Sequence, residues 1–392
     1  MSLVGPWFFL LVVLVTVALF AAAVVVMPLV SASRVRAVLA RVTILLVVNA
    51  MVLVTAAVGL NDQFTFFADW TDLHGALFGG RAVSTVHAGG GAAQAARIPV
   101  SGAASATASP GVGGSNLGTV PPGTALPGGA GVVDRVLRVT LTGPASGLTG
   151  EVLITLPEGY TDPANSSRQY PVLETFPGYP GDPSQWIDSM NLGGALDNAV
   201  RTHAAGPIIT ISPLTEFPGG VDTECVDGPG NDPKVETWLT QDVPSWVLSH
   251  LRARSDRASW ATIGLSAGAW CAAMATMLHP ARYAAGIIMG GYFAPDFSAS
   301  YKPFSATSSQ AKRYNLIALA GHHPPPVALW IETSHSDPIS YPSSARLLAA
   351  ARHPLSIQAL ILTHAGHRLS LWSSELPQAL SWLGSNISGF AP

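Results

Sequence analysis

Ser266 stands in the run Gly264-Leu265-Ser266-Ala267-Gly268, and its hydroxyl has the surroundings that covalent chemistry needs. A serine hydroxyl is a weak nucleophile until a base takes its proton. The G-x-S-x-G pattern serves this chemistry when it joins a strand to a helix, because the tight turn exposes the hydroxyl at the strand tip. An apolar strand pattern, Trp260 to Ile263, precedes the run, and an alanine-rich helical pattern, Ala269 to Met277, follows it. The flanking Gly264 and Gly268 leave room for neighbouring backbone. A serine at a helix start also aims free N–H groups at developing negative charge.

In this strand-turn-helix setting the acid and then the base follow the serine along the chain. His367, within His364-Ala365-Gly366-His367-Arg368, lies between the last strong strand pattern and a closing helix and is the preferred base. His364, nearer the strand end, is the competitor. For the acid, the choice is Asp337 in the loop Thr333 to Pro338, after the strand pattern Val327 to Glu332. Its role would be to hold the tautomer of His367 and stabilise the imidazolium. Glu332 is the alternative, and Asp296 a more distant one. The oxyanion hole needs the N–H of Ala267 and a second donor after the third strand of the fold. Tyr179, in Pro177-Gly178-Tyr179, fits that place, with Gly178 allowing close approach; an ordinary Pro-Gly turn is the plainer reading.

The chain has two cysteines, Cys225 in a loop and Cys271 early in the helix after Ser266. In an exported domain a disulfide between them would brace the floor of the site; two buried thiols are the alternative. No Cys/His spacing resembles a zinc site, and His322-His323 reads as a loop pair. Asn165-Ser166-Ser167 and Asn386-Ile387-Ser388 match the glycosylation pattern, which is frequent by chance.

Positioning these residues requires a scaffold. Short strand patterns cover 135–141, 151–156, 171–176, 207–211, 260–263, 285–289, 328–332 and 357–363, with helical patterns at 235–251, 266–278 and 376–383. Strands alternating with helices imply an α/β fold, a mostly parallel sheet covered on both faces.

Ahead of this lies a different kind of sequence. Pro6 to Val30 and Val42 to Leu60 are almost wholly apolar and long enough to cross roughly 30 Å of hydrocarbon. Arg34, Arg36 and Arg41 between them should stay cytoplasmic, which puts both termini on the outer side. A cleaved signal peptide or a buried helical hairpin would be the alternatives to the first span. Phe64, Phe66, Phe67 and Trp70 look like an interfacial aromatic belt. From Gly79 to Gly131, Gly, Ala, Ser, Thr and Pro predominate, too few large side chains to offset the entropy of ordering. The organisation read from the sequence is therefore an anchor over 1–62, a juxtamembrane segment and linker over 63–131, and a catalytic domain over 132–392.

Whole-chain composition agrees. Of 392 residues, 48% are hydrophobic and only 11% charged, against a usual charged share of about 25%. The net charge of -3 lacks the basic surface that nucleic acid would require.

On the stretches YPVLETFPGYPGDPSQWI, ATIGLSAGAWCAAMATMLHPARYAAGI, SHSDP and HAGHRLSLWSSELPQALSWL, the chain resembles the putative-esterase family. That family includes carboxylesterases, S-formylglutathione hydrolase and the mycolyltransferases. The resemblance implies an α/β-hydrolase fold and a triad of Ser266, Asp337 and His367, with Tyr179 and Ala267 as oxyanion donors. It also implies acyl hydrolysis or transfer through an acyl-serine, without metal or organic cofactor. The chain departs from the mycolyltransferases in its two spans and in Asp337, where they use a glutamate. The expected function is an extracytoplasmic esterase held at the lipid bilayer, acting on a lipid or an acylated glycan. Acyl transfer to a sugar or lipid hydroxyl, and a catalytically idle envelope-binding protein, are the other readings.

Overall fold

The computed structural model describes residues 3–30, 34–78, 83–89, 135–299 and 301–392. The chain divides into two compact units. One comprises Met1–Ala82 with two short loops, Ser334–Asp337 and Leu362–Arg368; the other comprises Val83–Thr333, Pro338–Ile361 and Leu369–Pro392.

In the first unit, helices α1 (Pro6–Leu29) and α2 (Arg34–Phe64) are each long and apolar enough to cross a membrane. The helix α2 begins at Arg34, so Arg36 and Arg41 lie inside it rather than in the connecting loop expected from the sequence. Arginine is a good helix former, and the helix extends past its apolar stretch. The two helices pack on each other. The Thr16 and Thr55 hydroxyls hydrogen-bond at 2.7 Å, a polar contact of the kind that joins helices where water is absent. A Cβ at Gly59 would lie 3.1 Å from the Phe9 ring, so the small residue admits that aromatic side chain. A short helix, α3 (Trp70–Phe78), follows. The aromatic group named from the sequence is half exposed, with Phe64 and Phe66 rings 5.5 Å apart.

The second unit is built on a nine-stranded sheet: β1 (Val83–Gly89), β2 (Val136–Thr142), β3 (Thr149–Thr155), β4 (Val172–Phe176), β5 (Ile209–Pro213), β6 (Trp260–Leu265), β7 (Ala285–Met289), β8 (Ala328–Ser334) and β9 (Ser356–Leu362). Their order is β1-β9-β8-β7-β6-β4-β5-β3-β2. The pairs β4–β5, β4–β6, β6–β7 and β7–β8 are parallel, and β2–β3 and β3–β5 antiparallel.

Burial follows the strand patterns. Edge strand β2 alternates, with Arg138, Thr140 and Thr142 exposed and Leu141 buried. The inner strands β4 to β8 are buried along their whole length, as a sheet covered on both faces demands. Helices α4 (Leu192–Arg201), α5 (Val235–Thr237), α6 (Val243–His250), α7 (Ala267–Leu278), α8 (Ser309–Arg313), α9 (Leu316–His322), α10 (Tyr341–Ala350) and α11 (Leu369–Asn386) complete the unit. A wider helical turn, Trp238–Asp242, joins α5 to α6, so the pattern read over 235–251 is one interrupted helix.

Two ordered elements, α3 and β1, fall inside the 63–131 stretch that the sequence presents as juxtamembrane segment and linker. Most of the remaining linker, 90–131, lies outside the described residues.

Candidate active site

The strand β6 ends at Leu265, and α7 begins at Ala267, leaving Ser266 alone in the turn. Its backbone sits at φ 55°, ψ −123°, a conformation that costs an L residue energy and persists only where the surroundings enforce it. They do so here. The Ser266 N–H donates to the Met289 carbonyl at 2.9 Å, and its own carbonyl accepts from Ala269 at 3.0 Å. A Cβ at Gly264 would lie 1.9 Å from the Gly268 carbonyl oxygen, and one at Gly268 would lie 2.2 Å from those of Phe176 and Pro177. The elbow closes because both positions are glycine. Behind it, α7 is buried from Gly268 to Met277, which explains its run of small alanines.

The strand β4 delivers the loop expected to complete the oxyanion hole. A Cβ at Gly178 would lie 3.4 Å from that of Ser266, so this loop abuts the serine. The Gly178 N–H donates to Gln185 Oε1 at 2.8 Å. The N–H groups of Tyr179 and Ala267 donate to no acceptor among the described residues, as an oxyanion site requires.

Asp337 and His367 meet in the first unit. His367 Nδ1 lies 2.9 Å from Asp337 Oδ2, with both residues buried. The loops that carry them are laced together: Ser336 Oγ donates to the Thr363 carbonyl at 3.1 Å, and the Ala365 N–H donates to Ser334 Oγ at 3.0 Å. His364 is turned to a different partner, with Nδ1 2.6 Å from Asp69 Oδ2. Of the other acids weighed, Glu332 is buried within β8, two residues before its end, and Asp296 is exposed.

Cys225 and Cys271 are joined by a disulfide, which ties the loop after β5 to α7. The side-chain amides of Asn165 and Asn386 both donate to backbone carbonyls, those of Gly159 and Trp382.

Two buried carboxyls escape notice in the sequence. Glu174 in β4 is fully buried and accepts from the Tyr283 hydroxyl at 2.6 Å. Burial pushes its pKa up to about 8, against the opposing effects of that hydrogen bond and of Arg282. Glu224, beside the disulfide, accepts from the Tyr292 hydroxyl at 2.7 Å, while its carbonyl accepts from the Trp270 indole at 2.8 Å. Burial first, and then the charge of Asp222, push Glu224 up to about 8 as well. Only an acidic residue in a largely apolar strand marked the first, and only the neighbouring cysteine the second.

Comparison with known proteins agrees with this architecture. A stretch of 157 residues is 35% identical to an uncharacterized protein of Corynebacterium glutamicum, covering 40% of this chain and 34% of that protein. The match thus spans about a third of the relative's length. A ferulic acid esterase structure superposes with a TM-score of 0.53 at 19% identity, over 63% of this chain and 96% of that one. S-formylglutathione hydrolase from Agrobacterium tumefaciens gives 0.53 at 14% identity, over 64% and 94%. A fluorophosphonate-binding serine hydrolase of Staphylococcus aureus gives 0.52 at 12% identity, over 63% and 97%. At these identities the likeness is one of fold. The family profile described as "Putative esterase" matches residues 147–383, more than half of the chain, and the chain belongs to that family.

Proposed function

We propose that this protein is a membrane-anchored, extracytoplasmic serine esterase that cleaves a carboxylic ester of the cell envelope through an acyl-Ser266 intermediate. The observation that carries the reading is the strained backbone of Ser266 between β6 and α7, within a chain of the esterase family.

The chemistry follows from the groups present. Asp337 holds the His367 ring through Nδ1, and in this reading Nε2 takes the Ser266 proton. The alkoxide oxygen attacks the ester carbonyl, and the N–H groups of Ala267 and Tyr179 receive the developing oxyanion. Collapse expels the alcohol, which takes the proton held on Nε2. Water then attacks the acyl-serine, giving its proton to Nε2, and the acid product leaves as Ser266 is reprotonated. Asp337 keeps its hydrogen bond to Nδ1 and stabilises the imidazolium.

The envelope substrate is inferred from the two apolar helices, which would confine the site to a layer near lipid head groups. Arg36 and Arg41 at the start of α2 support a cytoplasmic connection between the spans. Cleavage of short p-nitrophenyl esters by the Ser266→Ala protein at the native rate would exclude the mechanism. Lipid analysis of envelopes with active and Ser266→Ala protein tests the substrate. An ester that accumulates only with the inactive form supports the assignment, and unchanged profiles count against it.

A further inference from the structure

We propose that the segment following the second apolar helix, Thr65 to Asp72, is a positioning element of the active site that fixes the loop bearing His367 by way of Arg368. The inference rests on the reading of His367 as the general base.

The segment is itself rigidly built. Asn61, in the last turn of α2, clamps Phe67 from both ends of its amide: Nδ2 donates to the Phe67 carbonyl at 3.0 Å, and Oδ1 accepts the Phe67 N–H at 2.7 Å. Thr65 turns the chain with φ 52°. Asp69 Oδ1 accepts the Asp72 N–H at 2.8 Å and starts α3.

Three consecutive residues of the base loop are then tied to this frame. Gly366 lies so close that a Cβ would meet the carbonyl oxygens of Phe66 and Thr65 at 2.2 and 2.5 Å. The backbone N–H of His367 donates to the Thr65 carbonyl at 2.8 Å. Arg368 forks onto Asp72 with two bonds of 2.7 Å, donates to the Phe66 carbonyl at 2.8 Å, and stacks over the Phe67 ring at 4.8 Å. Asp72 Oδ2 also accepts the Ala68 N–H at 3.1 Å.

Arg368 and Asp72 are 6% and 2% exposed. At that burial, opening the pair strands a charge, and the planar fork fixes orientation as well as distance. The His367 backbone is therefore held by residues contiguous with the membrane-spanning helix, while its ring is held by Asp337. A free tether would leave the base loop to the catalytic domain; here the anchor helps to hold it.

The test uses the full chain in detergent micelles, with p-nitrophenyl ester turnover and the rate of Ser266 labelling by a fluorophosphonate. Asp72→Asn removes the charge partner. Gly366→Ala keeps every charge but pushes the loop off the Phe66 and Thr65 carbonyls. Each is expected to lower kcat by about 10- to 100-fold, the usual cost of misplacing a reacting group, with KM little changed and labelling slowed in parallel. Asp72→Glu should recover part of the loss. Thermal melts show whether each variant is folded, and if Asp72→Asn is not, Gly366→Ala decides. Unchanged kcat in the folded variants, alongside an inactive His367→Ala, overturns the positioning role alone. An active His367→Ala overturns the base assignment and this proposal with it.

Discussion

A Cβ on Gly268 would lie 2.2 Å from the carbonyl oxygen of Phe176, closer than any real side chain tolerates. The obstacle is backbone, so no side chain can swing aside to relieve it. Because Phe176 leads directly into the loop carrying Tyr179, an added methyl would push apart the two proposed oxyanion donors. Gly268→Ala is therefore expected to lower kcat by about 100-fold or more, with Ser266 intact. Steady-state turnover of a p-nitrophenyl ester measures this, and full activity would show that the close approach is dispensable.

The proposed acid and base are open to a sharper comparison. Asp337→Asn should lower kcat by about 10³- to 10⁴-fold, because an amide oriented to hydrogen-bond Nδ1 enforces the wrong tautomer. His364→Ala should leave kcat within about twofold, since its pairing with Asp69 is half exposed and such pairs contribute little. If His364→Ala were the inactive variant and His367→Ala the active one, the assignment would reverse.

How much of this was legible in the sequence depended on the range of the interaction. Strand patterns from 135 onward correspond to β2 through β9, because buried strands need apolar runs and turns need Gly, Pro or Asp. The strand β1, Val-Ser-Thr-Val-His-Ala-Gly, was hidden in a Gly- and Ala-rich stretch whose composition reads as linker. Backbone pairing at a sheet edge asks little of side chains, so composition gives no warning of it. Ser266 was marked by local spacing. The pairing of Arg368 with Asp72 spans 296 positions, and no periodicity or motif carries such a contact. The carboxyls of Glu174 and Glu224 were equally silent, since burial comes from the packed fold and not from neighbours in the chain.

The disulfide makes a further prediction. Cys225 and Cys271 are separated by 46 positions, and closing a loop of that length in the unfolded chain is worth about 4 kcal/mol in the chain-entropy account. Reduction, or Cys225→Ser with Cys271→Ser, should lower Tm by several degrees. The loop before the bridge holds the Trp270 indole through the Glu224 carbonyl, so α7 should loosen with it. Melting in the presence and absence of reductant reads the effect, and equal Tm values would show the bond to be energetically idle.

Stability should also depend on pH in a direction set by the buried carboxyls. Glu174 is pushed from an ordinary 4.5 up to about 8 by burial. Near pH 6 the folded protein therefore keeps this proton, while the unfolded chain has released it. The native state then binds more protons, so stability is fully present below about pH 4.5, falls as the pH rises towards 8, and levels off above. Glu224, also pushed up to about 8, adds to the same slope, and each group contributes at most about 1.4 kcal/mol per pH unit. In Glu174→Gln the amide oxygen can still accept from Tyr283, but nothing titrates. Its buried N–H groups would lack a partner where Glu174 Oε1 has none, so Tm should drop at every pH. The slope is the informative quantity: Tm measured from pH 5 to 8 should decline less steeply in the variant than in the native protein. Parallel curves would mean that Glu174 is ionised in the fold, its charge stabilised by Tyr283 and Arg282 more strongly than burial opposes it.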